Sequence, residues 1–139
     1  KESRAFSEDW KRHRCVIVSS YYFEWEHVLV NGREKTGDKY AVQTAGQTVT
    51  YMAGLYHFEE TRGLKYPAFA ILTKEPTANL RKLHARMPVI LSESQIDNWI
   101  NPDGNPEEIV QNFVTEVVAE KVHADKKLSI PDILEQNKL

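Results

Sequence analysis

Three side chains in this sequence have the types and the spacing for proton transfer beside a bound anion. His84 and Arg86 stand two residues apart in His84-Ala85-Arg86-Met87-Pro88, ahead of the apolar run Val89-Ile90-Leu91. In an extended segment residues i and i+2 point to one side, so the imidazole and the guanidinium would share a face, a proton carrier next to a phosphate clamp. Pro88 disfavours helix at Met87, which sets the pair where a helix hands over to a strand, a kind of junction that often carries function. The same spacing also fits solvated loop residues, or a histidine hydrogen-bonded at the edge of a core. The third side chain is Glu24, inside Tyr21-Tyr22-Phe23-Glu24-Trp25. With Phe23 and Trp25 on one strand face, Glu24 shares the other with Tyr22. A carboxylate there is exposed, paired, or raised in pKa for proton transfer.

The elements that must position these groups read as a mixed α+β chain. Phe6 to Lys11 is a short helix; Cys15 to Ser19 and Tyr22 to Val30 are β-rich runs, with Asn31-Gly32 as a hairpin turn before a Lys/Gly-rich stretch that could lengthen the loop. Lys39 to Thr44 and Val49 to Leu55 continue the sheet around Ala45-Gly46-Gln47. A loop over Thr61 to Tyr66 precedes a strand at Ala68 to Leu72, and Thr77 caps a short helix to His84. Val89 to Leu91 is a strand, Ser94 to Ile100 a helix, and Asn101 to Gly104 a turn. Pro106 opens a helix with Glu107 and Glu108 in its first turn, where the dipole favours them, and the helix is expected to run to Lys121.

Composition bounds the function classes. A chain of 139 residues, 41% hydrophobic, is long enough for one domain with a core. One cysteine excludes an intrachain disulfide framework and suits a reducing compartment. No apolar run approaches the ~20 residues of a membrane span. The net charge of -2 argues against a generally basic nucleic-acid coat, so DNA contact requires a local patch, for which Arg4, Lys11, Arg12, His13 and Arg14, or Lys74, Arg81, Lys82 and Arg86, are the candidates. His13, His27, His57 and His123 show no paired metal-ligand spacing, and no phosphate-binding glycine loop is present, so neither a metal nor a cofactor is expected.

Read in order, Arg14-Cys15 through Phe23-Glu24-Trp25, Ala53-Gly54-Leu55-Tyr56, Ala70-Ile71-Leu72-Thr73 with Ala78-Asn79, and Leu83-His84-Ala85-Arg86-Met87-Pro88 resemble the blocks of the SOS-response-associated peptidase (SRAP) family. Trp99 also falls where that family tends to have a tryptophan. Val18 stands where proline is usual, Ser20-Tyr21 replaces Asp-Gly, and Tyr56-His57 replaces Trp-Glu; Glu24, His84 and Arg86 are retained. The family's N-terminal cysteine and its Asn-Ala-Arg segment have no counterpart after Lys1, an improbable natural start, and the chain is expected to be a single SRAP-like domain over residues 1–139 lacking its N-terminal segment. Residues 123–139 would form a peripheral tail. The expected fold is α+β, a mostly antiparallel, barrel-like sheet flanked by short helices.

The resemblance implies a terminal cysteine whose thiol and free α-amine condense with the aldehyde of a ring-opened abasic site in single-stranded DNA, closing a thiazolidine crosslink. Glu24 would transfer protons during imine formation and reversal, and His84 would help open the sugar ring. Arg86 and Arg14 would contact phosphate, Trp25 would offer stacking surface, and Thr73 a backbone contact. The same site would carry out the self-processing that exposes the cysteine, hence a peptidase. Cys15 cannot replace that residue, because its amine lies in a peptide bond; in an apolar run it reads as a buried structural thiol. The chain as given is therefore expected to be inactive, the parent to be a cytoplasmic monomer, nucleoid-associated if bacterial, with no membrane partner. Two other readings are a non-catalytic single-strand binding module, or degenerate family member, and a protein-interaction domain without nucleic acid.

Overall fold

The structure is a computed structural model that describes residues 4–83 and 85–123. In chain order it contains α1 (Arg4–Arg12), β1 (Arg14–Ser19), β2 (Tyr22–Val30), β3 (Arg33–Thr44), β4 (Thr50–Thr61), β5 (Leu64–Ile71), β6 (Thr73–Lys74), β7 (Met87–Pro88), β8 (Ile90–Leu91), α2 (Ile96–Ile100), α3 (Pro106–Gln111) and β9 (Val117–Lys121). The class is α+β, with antiparallel pairing in the β2–β3, β3–β9, β4–β5 and β4–β8 ladders. The barrel-like expectation is corrected: among the described residues the strands form separate sheets of four, three and two strands. The chain folds as two compact units, each assembled from three segments that are distant in sequence.

The first unit comprises Lys1–Ile17, Tyr51–Thr73 and Pro88–Phe113. Its core is Ala53, Leu55, Val89, Leu91, Trp99 and Ile109, against which Trp10, Val16 and Leu72 pack. β4 lies between β1 and β5. The Ala53 amide donates to the Val89 carbonyl while its own carbonyl accepts from Leu72. Gly54 is required by this packing: a Cβ there would collide with Ile17 Cδ1 and stand 3.0 Å from the Ala70 carbonyl oxygen. The expected loop over Thr61 to Tyr66 is instead a tight hairpin, because Arg62 (φ 52°) and Gly63 (φ 76°) both take the left-handed conformation and let β4 and β5 pair out to Thr61 and Leu64.

The second unit comprises Val18–Thr50, Lys74–Met87 and Val114–Leu139. β3 pairs with β2 on one side and β9 on the other. Asn31 (φ 53°) and Gly32 (φ 73°) make a two-residue turn, so β3 begins at Arg33 and the Lys/Gly-rich stretch is strand rather than extended loop. A β-bulge lies between Trp25 and His27, where Gly37 and Asp38 oppose the single residue Glu26.

Two helix expectations need correction. The segment from Thr77 contains only a 3-10 turn, Ala78–Leu80, and the Thr77 side chain does not cap it; one unsupported turn is too short to propagate. α3 starts as expected at Pro106, with Asn105 accepting from the Glu108 amide, but ends at Gln111. The β-branched residues Val114, Thr115, Val117 and Val118 disfavour a continuing helix, and Val117–Lys121 completes the second unit's sheet as β9.

Candidate functional site

β2 presents two chemically different faces. On one, Glu24 and Tyr22 are half-buried and pair across the ladder with Tyr40 and Val42. Burial pushes the Tyr22 phenol above its usual range, and the neighbouring charge of Glu24 raises it further. The carboxylate thus shares this face with two tyrosines, Tyr22 on its own strand and Tyr40 across the ladder. On the other face Phe23 is 37% and Trp25 43% exposed, and Lys39 Nζ lies 3.8 Å from the Phe23 ring centre and 5.3 Å from that of Trp25. Tyr21 meets Phe23 edge-on at 5.3 Å. The result is an accessible aromatic surface with a cation lying across it.

Lys39 is the residue that sequence reading missed. Strict continuation of the register set by the Asn31-Gly32 turn would put Asp38 opposite Trp25; the bulge advances β3 by one residue and puts Lys39 there instead. Gly37 was the available signal, since a Cβ at that position would lie 2.9 Å from Glu26 Cβ. A glycine inside a strand pattern marks such a close approach.

The other expected site residues distribute unevenly. Arg86 is exposed in the second unit, in the same unit as Glu24 and Trp25, and forms a 3.7 Å ion pair with the exposed Glu75. Met87, next to it, is fully buried and anchors the segment. His84 lies outside the described residues. Thr73 is exposed at the start of β6, at the end of a first-unit segment.

Arg14 belongs to the first unit and is 5% exposed. Its guanidinium donates to the carbonyls of Trp10 (2.6 Å) and Lys11 (3.0 Å) at the end of α1, and to those of Trp99 (2.7 Å) and Asn101 at the end of α2. These orphan carbonyls of two helix C-termini have no helical donors, and one forked cation satisfies both sets. A phosphate contact, the role expected for Arg14, does not fit donors already committed in this way. Desolvation lowers its pKa, with Glu107 opposing the shift. Cys15, beside it, is half-buried, and burial pushes its thiol up, the opposite of what a reactive nucleophile requires.

No helix among the described residues is long and apolar enough to cross a membrane. Among those residues no group of three or more His, Cys, Asp and Glu is placed to hold a metal ion.

Residues 1–127 match the sequence profile of the family described as SOS response associated peptidase (SRAP). Abasic site processing protein YoaM of Bacillus subtilis is 27% identical over 125 residues, which cover 88% of this chain and 53% of that protein. Abasic site processing protein YMR114C of Saccharomyces cerevisiae is 30% identical over 105 residues, 74% of this chain and 27% of its own length. The chain therefore spans about half, or less, of these two relatives. A crystal structure of a protein from Bacteroides thetaiotaomicron superposes with a TM-score of 0.73 at 25% identity, covering 96% of this chain and 61% of the other. One from Bordetella bronchiseptica, at 19% identity and TM-score 0.66, shares the fold over 88% of this chain and 61% of its own.

Proposed function

We propose a function from a premise that the profile match establishes: this chain belongs to the SOS response associated peptidase family, over residues 1–127. Its role is to recognise abasic sites in single-stranded DNA, as part of a parent protein that captures the site covalently through an N-terminal cysteine. The observation that carries this reading is the second unit's hairpin, where Glu24 is set among tyrosines on one face of β2 and the Phe23, Trp25 and Lys39 surface lies on the other. Relatives named abasic site processing proteins support the choice of lesion.

In this reading Trp25 stacks on an unpaired base and Lys39 and Arg86 approach the phosphates. Glu24 takes the proton lost from the attacking amine and returns one to the departing hydroxyl as the imine forms; thiol addition to the imine carbon then closes the thiazolidine. His84 protonates the ring oxygen as the sugar opens. Arg86 holds the 5′ or 3′ phosphate beside the lesion and Thr73 contributes a backbone contact. Arg14 acts through structure, by tying α1 to α2.

Cys15 favours a second reading for residues 1–139 taken alone: binding without covalent capture, since its amine is in a peptide bond and its thiol is half-buried. One experiment separates the two. The parent protein, given single-stranded DNA with an abasic site, should yield a denaturant-resistant adduct, and the 139-residue chain should bind the same strand without one. A covalent adduct of the short chain that disappears with Cys15→Ala would overturn the assignment.

A further inference from the structure

The hairpin of β4 and β5 runs out beyond the first unit's core: past Tyr56 every β4 residue is exposed. Its two faces differ. On one, His57, Glu59 and Thr61 stand opposite Ala68, Tyr66 and Leu64, and the polar groups satisfy one another. Glu59 Oε1 lies 3.0 Å from His57 Nε2, and Glu59 Oε2 accepts from the Tyr66 hydroxyl at 3.0 Å. The other face carries Tyr56, Phe58 and Glu60 from β4 opposite Phe69, Pro67 and Lys65 from β5. Phe58 is 59% and Phe69 64% exposed. Tyr56 meets Phe58 edge-on at 6.2 Å, and Lys65 Nζ lies 5.6 Å from the Phe58 ring centre. Glu60, directly across the ladder from Lys65, makes no hydrogen bond or ion pair among the described residues.

Contiguous apolar surface of this kind, bounded at one end by charge, favours a partner. The charges say which. A phosphate backbone would meet the Glu60 carboxylate on the face itself, with Lys65 as its one cation there, so the electrostatics oppose a nucleic acid. Addition of a strand to the hairpin's edge is opposed as well. β5 ends the order β1, β4, β5, but Pro67 within it has no amide to donate. A copy of the same face, in contrast, supplies what this one lacks, a cation for Glu60 and a carboxylate for Lys65.

We propose that this face pairs with its own copy on a second chain, about a two-fold axis that runs along the hairpin between β4 and β5. Rotation about that axis exchanges the two strands and keeps tip over tip. It lays Glu60 over the partner's Lys65, Tyr56 over the partner's Phe69 and Phe58 over the partner's Pro67, each contact occurring twice. A two-fold axis across the strands would instead carry the tips to opposite ends and leave both charges unpaired. A dimer thus replaces the expected monomer. The ladder pairs from Tyr56 with Phe69 to Glu60 with Lys65 span about 16 Å of strand. That is less than a standard interface requires, so the pairing is weak, with a Kd on the order of 10⁻⁴ M.

Sedimentation of the 139-residue chain from about 10 μM to about 1 mM brackets that constant, and the average mass should rise from monomer toward dimer. Glu60→Lys and Lys65→Glu each set like charges face to face and should weaken association roughly tenfold. An equimolar mixture of those two variants brings opposite charges together again and should associate as tightly as the unchanged chain. The double variant, with the charges exchanged within one hairpin, should do the same, and it keeps the test decisive if a single reversal disturbs the hairpin. Phe58→Ser, which empties no core, should leave a monomer. Constant mass over the whole range, a mixture no tighter than either variant alone, or a monomeric double variant overturns the pairing. So does a chain that stays monomeric while oligothymidine shifts the Phe58 and Phe69 amide signals, which would make a nucleic acid the occupant.

Discussion

Each unit places a cation against a tryptophan, to opposite ends. In the first, Trp99 is fully buried, its indole N–H donates to the Cys15 carbonyl at 2.8 Å, and the Arg14 guanidinium lies 5.6 Å from its ring. In the second, Trp25 is 43% exposed with Lys39 at 5.3 Å. The residue types are nearly interchangeable; what differs is whether the donors are committed. Arg14 spends four of its five N–H donors on backbone carbonyls, which makes it a staple between helices. Lys39 lies over rings that are exposed. One tryptophan is thus held inside a core, and the other, in the proposed reading, is left open to a base.

That contrast breaks most sharply at Glu24. In the parent protein Glu24→Gln should slow crosslink formation or reversal by about 10²–10⁴-fold with an almost unchanged melting temperature, as for a positioned acid-base group. If the rate falls only as far as the folded fraction, the residue belongs with the structural set. Trp99→Ala should instead lower stability by about 3–5 kcal/mol, and Arg14→Met by about 3 kcal/mol as several carbonyls lose their donor at once; denaturant titration reads both. Neither should weaken binding of the folded fraction to single-stranded DNA.

In the second unit the expectation reverses. Trp25→Ala should reduce single-strand affinity by about 1–3 kcal/mol, and Arg86→Ala should lower the salt slope by about 0.7 for its one phosphate, while unfolding midpoints stay in place. A duplex that binds as well as a single strand would argue against stacking on Trp25.

The smallest effect concerns Cys15, whose folded-state pKa is raised by burial. A group of this kind contributes stability that is fully present below the ordinary thiol pKa and lost as pH rises through the raised folded value. Native protein should accordingly be alkylated more slowly than unfolded protein near pH 9, and Cys15→Ala should flatten the alkaline edge of the stability profile. Equal alkylation rates in the two states would show that the thiol is not sheltered.

What local chemistry dictates was legible in the residues alone. The Asn31-Gly32 turn follows from residues that accept positive φ, the α3 start from Pro106 with Glu107 and Glu108 behind it, and the β1 and β2 runs from their apolar, β-branched and aromatic residues. The ordered blocks around Glu24, Gly54 and Arg86 were enough to identify the family. Three outcomes required the folded chain. α3 stops at Gln111 because the next residues find a strand partner in β3, more than 70 residues away in sequence. Arg14 turns inward because Trp99 and Asn101 bring carbonyls to it. Lys39 reaches Trp25 because one bulge shifts the register by a residue. Each depends on pairing between distant segments, and the free energy of such pairing is carried by a geometry that no single stretch of residues contains.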